Sequence, residues 1–196
     1  MFNPFSEGYV ARGKSFTPVK HQALLAGDLA NLPQYLCRQD DIVLVPRRPS
    51  VGFLAGLQRA GMPLPEFVEL DGGRIPAGSG LRERKLSGMR PWAWGPDSEE
   101  VLSPLIGNVT GASAGDAGAL HAGMAALYSK AWSAGFLRRL LSGCGRERWL
   151  CTEDEVGVVR NTVSGVMEAV ETIRRRGHWR VVVKEALGLA GRNAIR

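Results

Sequence analysis

Lys184 closes an apolar, β-branched run that starts at Trp179, and a glycine-rich turn, Gly188-Leu189-Ala190-Gly191-Arg192, follows four residues later. Each residue type here has a chemical use. A strand would hold the Lys184 ammonium in place, and glycines at 188 and 191 let backbone N–H groups approach a polyphosphate. Arg192 supplies a second cation with a planar fork of donors. The plainer reading of a lysine before a hairpin turn is a solvated surface charge. A second lysine shifts the balance. Lys130 lies in YSKAWSAGFLRRLL, a helical stretch largely of apolar and small residues, where the ordinary alternative is a snorkelling side chain. Only five of the 25 cations are lysines.

Other reactive residue types are less organised. His21, His121 and His178 are scattered without metal-ligand spacing. Cys37, Cys144 and Cys151 are odd in number and contain no C-x-x-C pair, so free buried thiols in a reducing compartment are expected. Residues 107–123 are rich in small side chains and predict an exposed loop. They lack both a feeding strand and the G-x-G-x-x-G spacing of a dinucleotide fingerprint. Trp92 and Trp94 suggest a packing corner, with the lining of a cleft as the functional alternative. Glu185 reads as a surface partner.

The elements that must position the lysines can be read from periodicity. Residues 1–16 predict an irregular arm. Thr17 and Pro18 open a helix whose apolar face is Leu24, Leu25, Leu29 and Leu32. The run at 41–46 predicts a buried strand, Ser50 caps a helix that Gly61 ends, and 67–70 predicts a second strand. Strand, helix and strand within this span make a βαβ unit with a parallel sheet. A short strand is expected near Lys85 and Leu86, and a helix capped at Asp97 or Ser98. Downstream, 125–141 predicts a helix and 149–151 a brief strand. Thr152 with Glu155 forms a capping box that opens a helix to about Arg176. Residues 179–186 predict a strand, and 193–196 the start of its return partner.

This order, with Lys130 on a helix and Lys184 at the end of a later strand before a glycine-rich hairpin, resembles the first half of the ATP-grasp fold. VVVKEALGLAGRN (181–193) is similar to that family's V-V-K-x-x-x-G-x-x-G-[RK]-G segment, with Asn193 where a third glycine is common. R-P-W-A-W-G-P (90–96) is similar to R-P-W-G-W-[ST]-P in uncharacterised bacterial ATP-grasp proteins. The resemblance implies an α/β chain: a Rossmann-like pre-ATP-grasp domain with a parallel sheet at 1–110, a flexible loop at 111–125, and a partial ATP-grasp domain of α+β type at 126–196. It implies ATP and Mg²⁺ as cofactors, with Lys130, Lys184, Gly188, Gly191 and Arg192 binding the nucleotide. The implied activity is ATP-dependent ligation of a small carboxylate to an amine or thiol through an acyl-phosphate, the substrate entering between the domains. The family's Mg²⁺-binding acids have no counterpart in these residues, so the chain is expected to be the N-terminal part of a longer enzyme. The alternative is a non-catalytic α/β binding or scaffold module.

Composition agrees with a folded protein. The 196 residues are 44% hydrophobic and 22% charged, too apolar for intrinsic disorder. No window approaches the roughly 20 apolar residues of a membrane span, and no secretory leader is seen, so a cytoplasmic location is expected. The net charge of +6 is mostly dispersed arginine, and Arg174-Arg175-Arg176 suits a helix C-terminus. Nucleic acid and membrane partners are therefore not expected, whereas exposed strand edges make self-association plausible.

Overall fold

A computed structural model describes residues 1–110, 122–144, 147, 149–188 and 194–196. The chain is mixed α/β and divides into two compact units, Met1–Leu120 and His121–Arg196. Among the described residues no helix is long and apolar enough to cross a membrane.

The first unit begins with a helix, not the irregular arm its composition suggests. Helix α1 spans Ser6–Arg12 and runs into a 3-10 turn at Gly13–Ser15. A polar clasp to a distant segment holds it. Asn3 Nδ2 donates to Ser6 Oγ at 2.7 Å and to the Ala93 carbonyl at 2.6 Å, while the Ala93 N–H donates to Asn3 Oδ1 at 3.0 Å. Ser6 Oγ donates in turn to Asp97 Oδ1 at 2.9 Å. Every one of these groups is at least partly buried, so the bonds satisfy donors that water cannot reach. The tryptophan corner is the receiving side of this clasp. Trp92 meets Phe2 edge to face at 5.1 Å between ring centroids, and Trp94 packs against the core.

Helix α2 (Lys20–Asp28) follows Val19, not the predicted Thr17–Pro18 start, and none of its residues is buried. Leu24 and Leu25, expected on its apolar face, find no cover. They remain 61% and 56% exposed.

The βαβ unit forms as the pattern predicts. Strand β1 (Ile42–Val45), helix α3 (Val51–Arg59) and strand β2 (Glu66–Glu69) follow in order, and Ser50 Oγ accepts from the Phe53 N–H at 3.3 Å to cap the helix. The strands pair in parallel, with Val43 opposite Phe67 and Leu44 opposite Val68. Alternation sends Val43, Val45 and Phe67 to one face, against Leu54 and Cys37. Leu44 and Val68 go to the other, against Ile75, Leu81, Leu102 and Leu105. Burial on both faces is what a parallel sheet requires. Glycines 72 and 73 take positive φ in the turn where Asp71 and Arg74 bridge. The strand expected near Leu86 reduces to one parallel bridge with Val109. Helix α4 (Pro96–Leu102) starts at Gly95, whose N–H donates to the Ser98 hydroxyl at 2.9 Å.

In the second unit several expectations need correction. Residues 122–125, assigned to a flexible loop, lie in helix α5 (Ala122–Leu127). The helix predicted at 125–141 is interrupted, because Ser129 leaves the helical path and caps helix α6 (Lys130–Gly143). No strand forms at 149–151. The Leu150 N–H instead folds back onto the Glu147 carbonyl at 3.1 Å. The Thr152–Glu155 box is present, but it closes a single 3-10 turn at Glu153–Glu155. Helix α7 starts afresh at Val163–Arg175, where Thr162 Oγ1 accepts from Gly165 N–H at 3.1 Å. The 179–186 strand is reduced to one antiparallel bridge, Val183 with Ile195. Valines favour strands only where a partner ladder exists, and here the described pairing is one residue long. Cys144 and Cys151 are exposed and not the buried thiols expected, while Cys37 is half-buried.

Candidate functional site

Lys130 is the first residue of α6, and it is tied twice to the segment that follows Lys184. Its backbone N–H donates to the Ala186 carbonyl at 2.8 Å. Its ammonium Nζ donates to the Gly188 carbonyl, also at 2.8 Å. The first bond satisfies one of the N–H groups that every helix start leaves without an intrahelical partner. The second places a partly buried cation on the turn. Two residues before Ala186, Lys184 is exposed, next to the Val183–Ile195 bridge whose two backbone bonds are both 2.9 Å. Lys130 and Gly188, 58 positions apart in sequence, are therefore in direct contact within the second unit, and Lys184 lies four residues before Gly188 on the same segment. Gly191 and Arg192, the remaining candidates, lie outside the described residues.

Neighbouring contacts explain how this helix is seated. Ser129 Oγ accepts from the Trp132 N–H at 3.4 Å, fixing where α6 begins. Eight residues on from Lys130, Arg138 Nη2 donates to the carbonyls of Val156 and Gly157, both at 2.9 Å. Trp132 lies on the opposite side of the helix from Lys130, because two residues correspond to about 200° of rotation. There it stacks on Phe136 with ring centroids 5.0 Å apart, and the Arg139 guanidinium sits 6.0 Å from the Phe136 centroid.

An ammonium is a three-proton donor with no geometric demand, suited to anionic oxygens. Mg²⁺ is different. Among the described residues no group of three or more His, Cys, Asp or Glu side chains is placed to hold a metal ion. Among the described residues the several oxygen donors that Mg²⁺ requires are not gathered in one place.

Two further strings carry the spacing of known motifs. Gly8-Tyr9-Val10-Ala11-Arg12-Gly13-Lys14-Ser15 matches G-x-x-x-x-G-K-[ST] literally. A phosphate-binding loop of that type lies between a strand and the helix it feeds. Here its first five residues are inside α1, and Lys14 and Ser15 are in the 3-10 turn. Its glycines have local reasons. A Cβ at Gly8 would come within 2.5 Å of the Phe16 ring, and Gly13 ends the helix at φ 57°. Gly111-Ala112-Ser113-Ala114-Gly115 matches G-x-S-x-G and lies outside the described residues. The other polar candidates are also spread out. A cavity of about 410 Å³ in the first unit, lined by Gln39, Gln58 and Met62 among others, includes none of the lysines.

No family model, no curated protein and no solved structure matches this chain.

Proposed function

We propose that the second unit binds the phosphates of ATP, and that the chain is part of an ATP-grasp-type ligase acting on a small carboxylate. The observation that carries this reading is the double tie of Lys130 to the 186–188 backbone. It brings Lys130 and Gly188, two residues that the family resemblance assigns to nucleotide binding, into contact across 58 positions of sequence. In this reading Lys130 and Lys184 offset charge on the transferring phosphoryl group, the dominant electrostatic contribution in such reactions. A carboxylate oxygen attacks the γ-phosphorus and ADP leaves. An amine or thiol then attacks the acyl carbon and inorganic phosphate leaves. The Rossmann-like assignment of the first unit belongs to the same proposal, supported by its parallel βαβ unit. So does a cytoplasmic location.

A non-catalytic binding module is the second reading, favoured by the half-exposed Trp132–Phe136 stack on α6. Titration calorimetry of the whole chain with ATP separates the two. The ligase reading expects saturable heat and at least about a tenfold weaker affinity for Lys184→Ala, the scale of one lost charge-assisted hydrogen bond. Equal affinities would remove Lys184 from the site, and absence of heat would leave the binding module.

A further inference from the structure

We infer that the outward face of α6 docks an acidic amphipathic helix of another protein. Trp132, Phe136 and Leu140 are spaced four residues apart. They therefore fall within about 80° of one another around the helix, in a stripe about 12 Å long. They remain 36%, 41% and 47% exposed, and the Trp132 and Phe136 ring planes are only 11° apart. The stack orients both rings without covering them. Gly135 adds a separate observation. It is exposed inside α6, next to Trp132 around the helix, and a Cβ there would meet nothing within 4 Å. Glycine weakens a helix interior relative to alanine, and no described neighbour requires one here. A bare backbone beside two rings lets a partner helix approach closely.

Charge identifies the partner. Helix α6 carries three cations, Lys130, Arg138 and Arg139, and no acid. The first two reach backbone carbonyls of the same unit. Arg139 is the one beside the stripe, 6.0 Å from the Phe136 centroid. The unit as a whole has the same sign. Residues 121–196 hold 13 Lys and Arg against 7 Asp and Glu, whereas 1–120 hold 12 of each, so the net charge of +6 belongs to the second unit. A second copy would bring like charges together and would need about 800 Å² per partner, more than a two-turn stripe offers. An anionic lipid surface is held by clusters of several Lys or Arg, and α6 places one at the stripe. An acidic helix asks only for apolar anchors at helical spacing and a cation at their edge. The inference stands whether or not the unit binds ATP, because Lys130 lies on the other side of α6.

The test uses a fluorescein-labelled peptide of about 20 residues, with leucines on one helical face and glutamates on the other. It is titrated with the full chain and followed by fluorescence anisotropy. The same peptide with lysine for glutamate, and phosphatidylserine vesicles, are the comparisons. Saturable binding is expected, about tenfold or more tighter than for the lysine peptide and weaker at high salt. Trp132→Ala should weaken it about thirtyfold, the scale of an aromatic anchor, and Arg139→Glu about fivefold. Gly135→Gln should raise the thermal midpoint, since glutamine is the better helix former, and yet weaken peptide binding. A merely structural role would not move the two in opposite directions. All three positions are exposed, so the variants are expected to fold. No binding of the acidic peptide, equal binding of both peptides, or binding unmoved by Trp132→Ala and Arg139→Glu would overturn the docking site. Preferential binding to the vesicles, or a dimer of the chain that Trp132→Ala abolishes, would also overturn it and give the face to lipid or to a second copy.

Discussion

The βαβ unit of the first half and the lysine-bearing segment of the second are held together by different means. In the first, Val43 and Val45 are at most 1% exposed, and both faces of a two-stranded sheet are covered by apolar side chains. In the second, the only buried hydrophobic residues among those described are Val156 and Ala169. Cationic side chains reach across to backbone carbonyls instead: Lys130 to Gly188, Arg138 to Val156 and Gly157. Apolar burial is non-directional and scales with area, so it tolerates small shifts. A cation–carbonyl bond is directional and fixes one geometry.

The largest effect that would break this contrast is a cavity in the first unit. Leu81 is 2% exposed, packed with Leu44, Val68, Ile75, Leu102 and Leu105. Leu81→Ala is expected to cost about 3 kcal/mol, the middle of the range for emptied leucine sites. Urea unfolding measures it. A loss below about 1 kcal/mol would mean that this core collapses around the gap, unlike a close-packed sheet face.

Removing a cation from the second unit should cost less and act locally. Arg138→Met keeps most of the aliphatic stem but deletes both carbonyl bonds; Gly157 is exposed and its carbonyl rehydrates, so a loss of about 1 kcal/mol is expected. Hydrogen exchange in residues 152–160 should quicken as the loop before α7 loosens. Unchanged exchange there, together with an unchanged unfolding midpoint, would assign the packing of that loop to Val156 alone.

The same contrast explains what could be read in advance. At 41–70 the β-branched run, the Ser50 cap and the second run are local signals, and each element forms close to where its pattern lies. The polar ties are not local. Asn3 and Ala93 are 90 residues apart, and nothing near Asn3 signals that it will anchor α1. For the lysines, residue type and order were legible, but the carbonyl that receives the Lys130 ammonium was not. The three valines at 181–183 have strand propensity without a ladder, so propensity overshoots. Thr152 and Glu155 were correctly paired, yet a capping box specifies only a first turn. Its signal is silent on whether a helix continues, and the next helix waits for Thr162.

That box gives the smallest expected effect, and its sign can be worked out. The Thr152 N–H donates to Glu155 Oε2 at 2.6 Å, and the Thr152 hydroxyl adds a 3.1 Å bond to the same oxygen. The backbone bond first, and the hydroxyl second, hold the Glu155 carboxyl below its ordinary value of 4.5. Lowering in the folded state means that the ionised form is bound more tightly there than in the unfolded chain. The contribution is present above the unfolded value and is lost as pH falls through the folded one. Because Glu155 is at the surface, water and salt screen it and the effect on global stability is slight. The Thr152 amide proton is the sensitive reporter. It should move upfield as the carboxylate protonates on titration from neutral pH to about pH 3, and Glu155→Gln should abolish that movement. A Thr152 amide that titrates identically in the variant would assign the shift to a different acid, with Glu153 the nearest in sequence. The turn would then be held by backbone geometry alone.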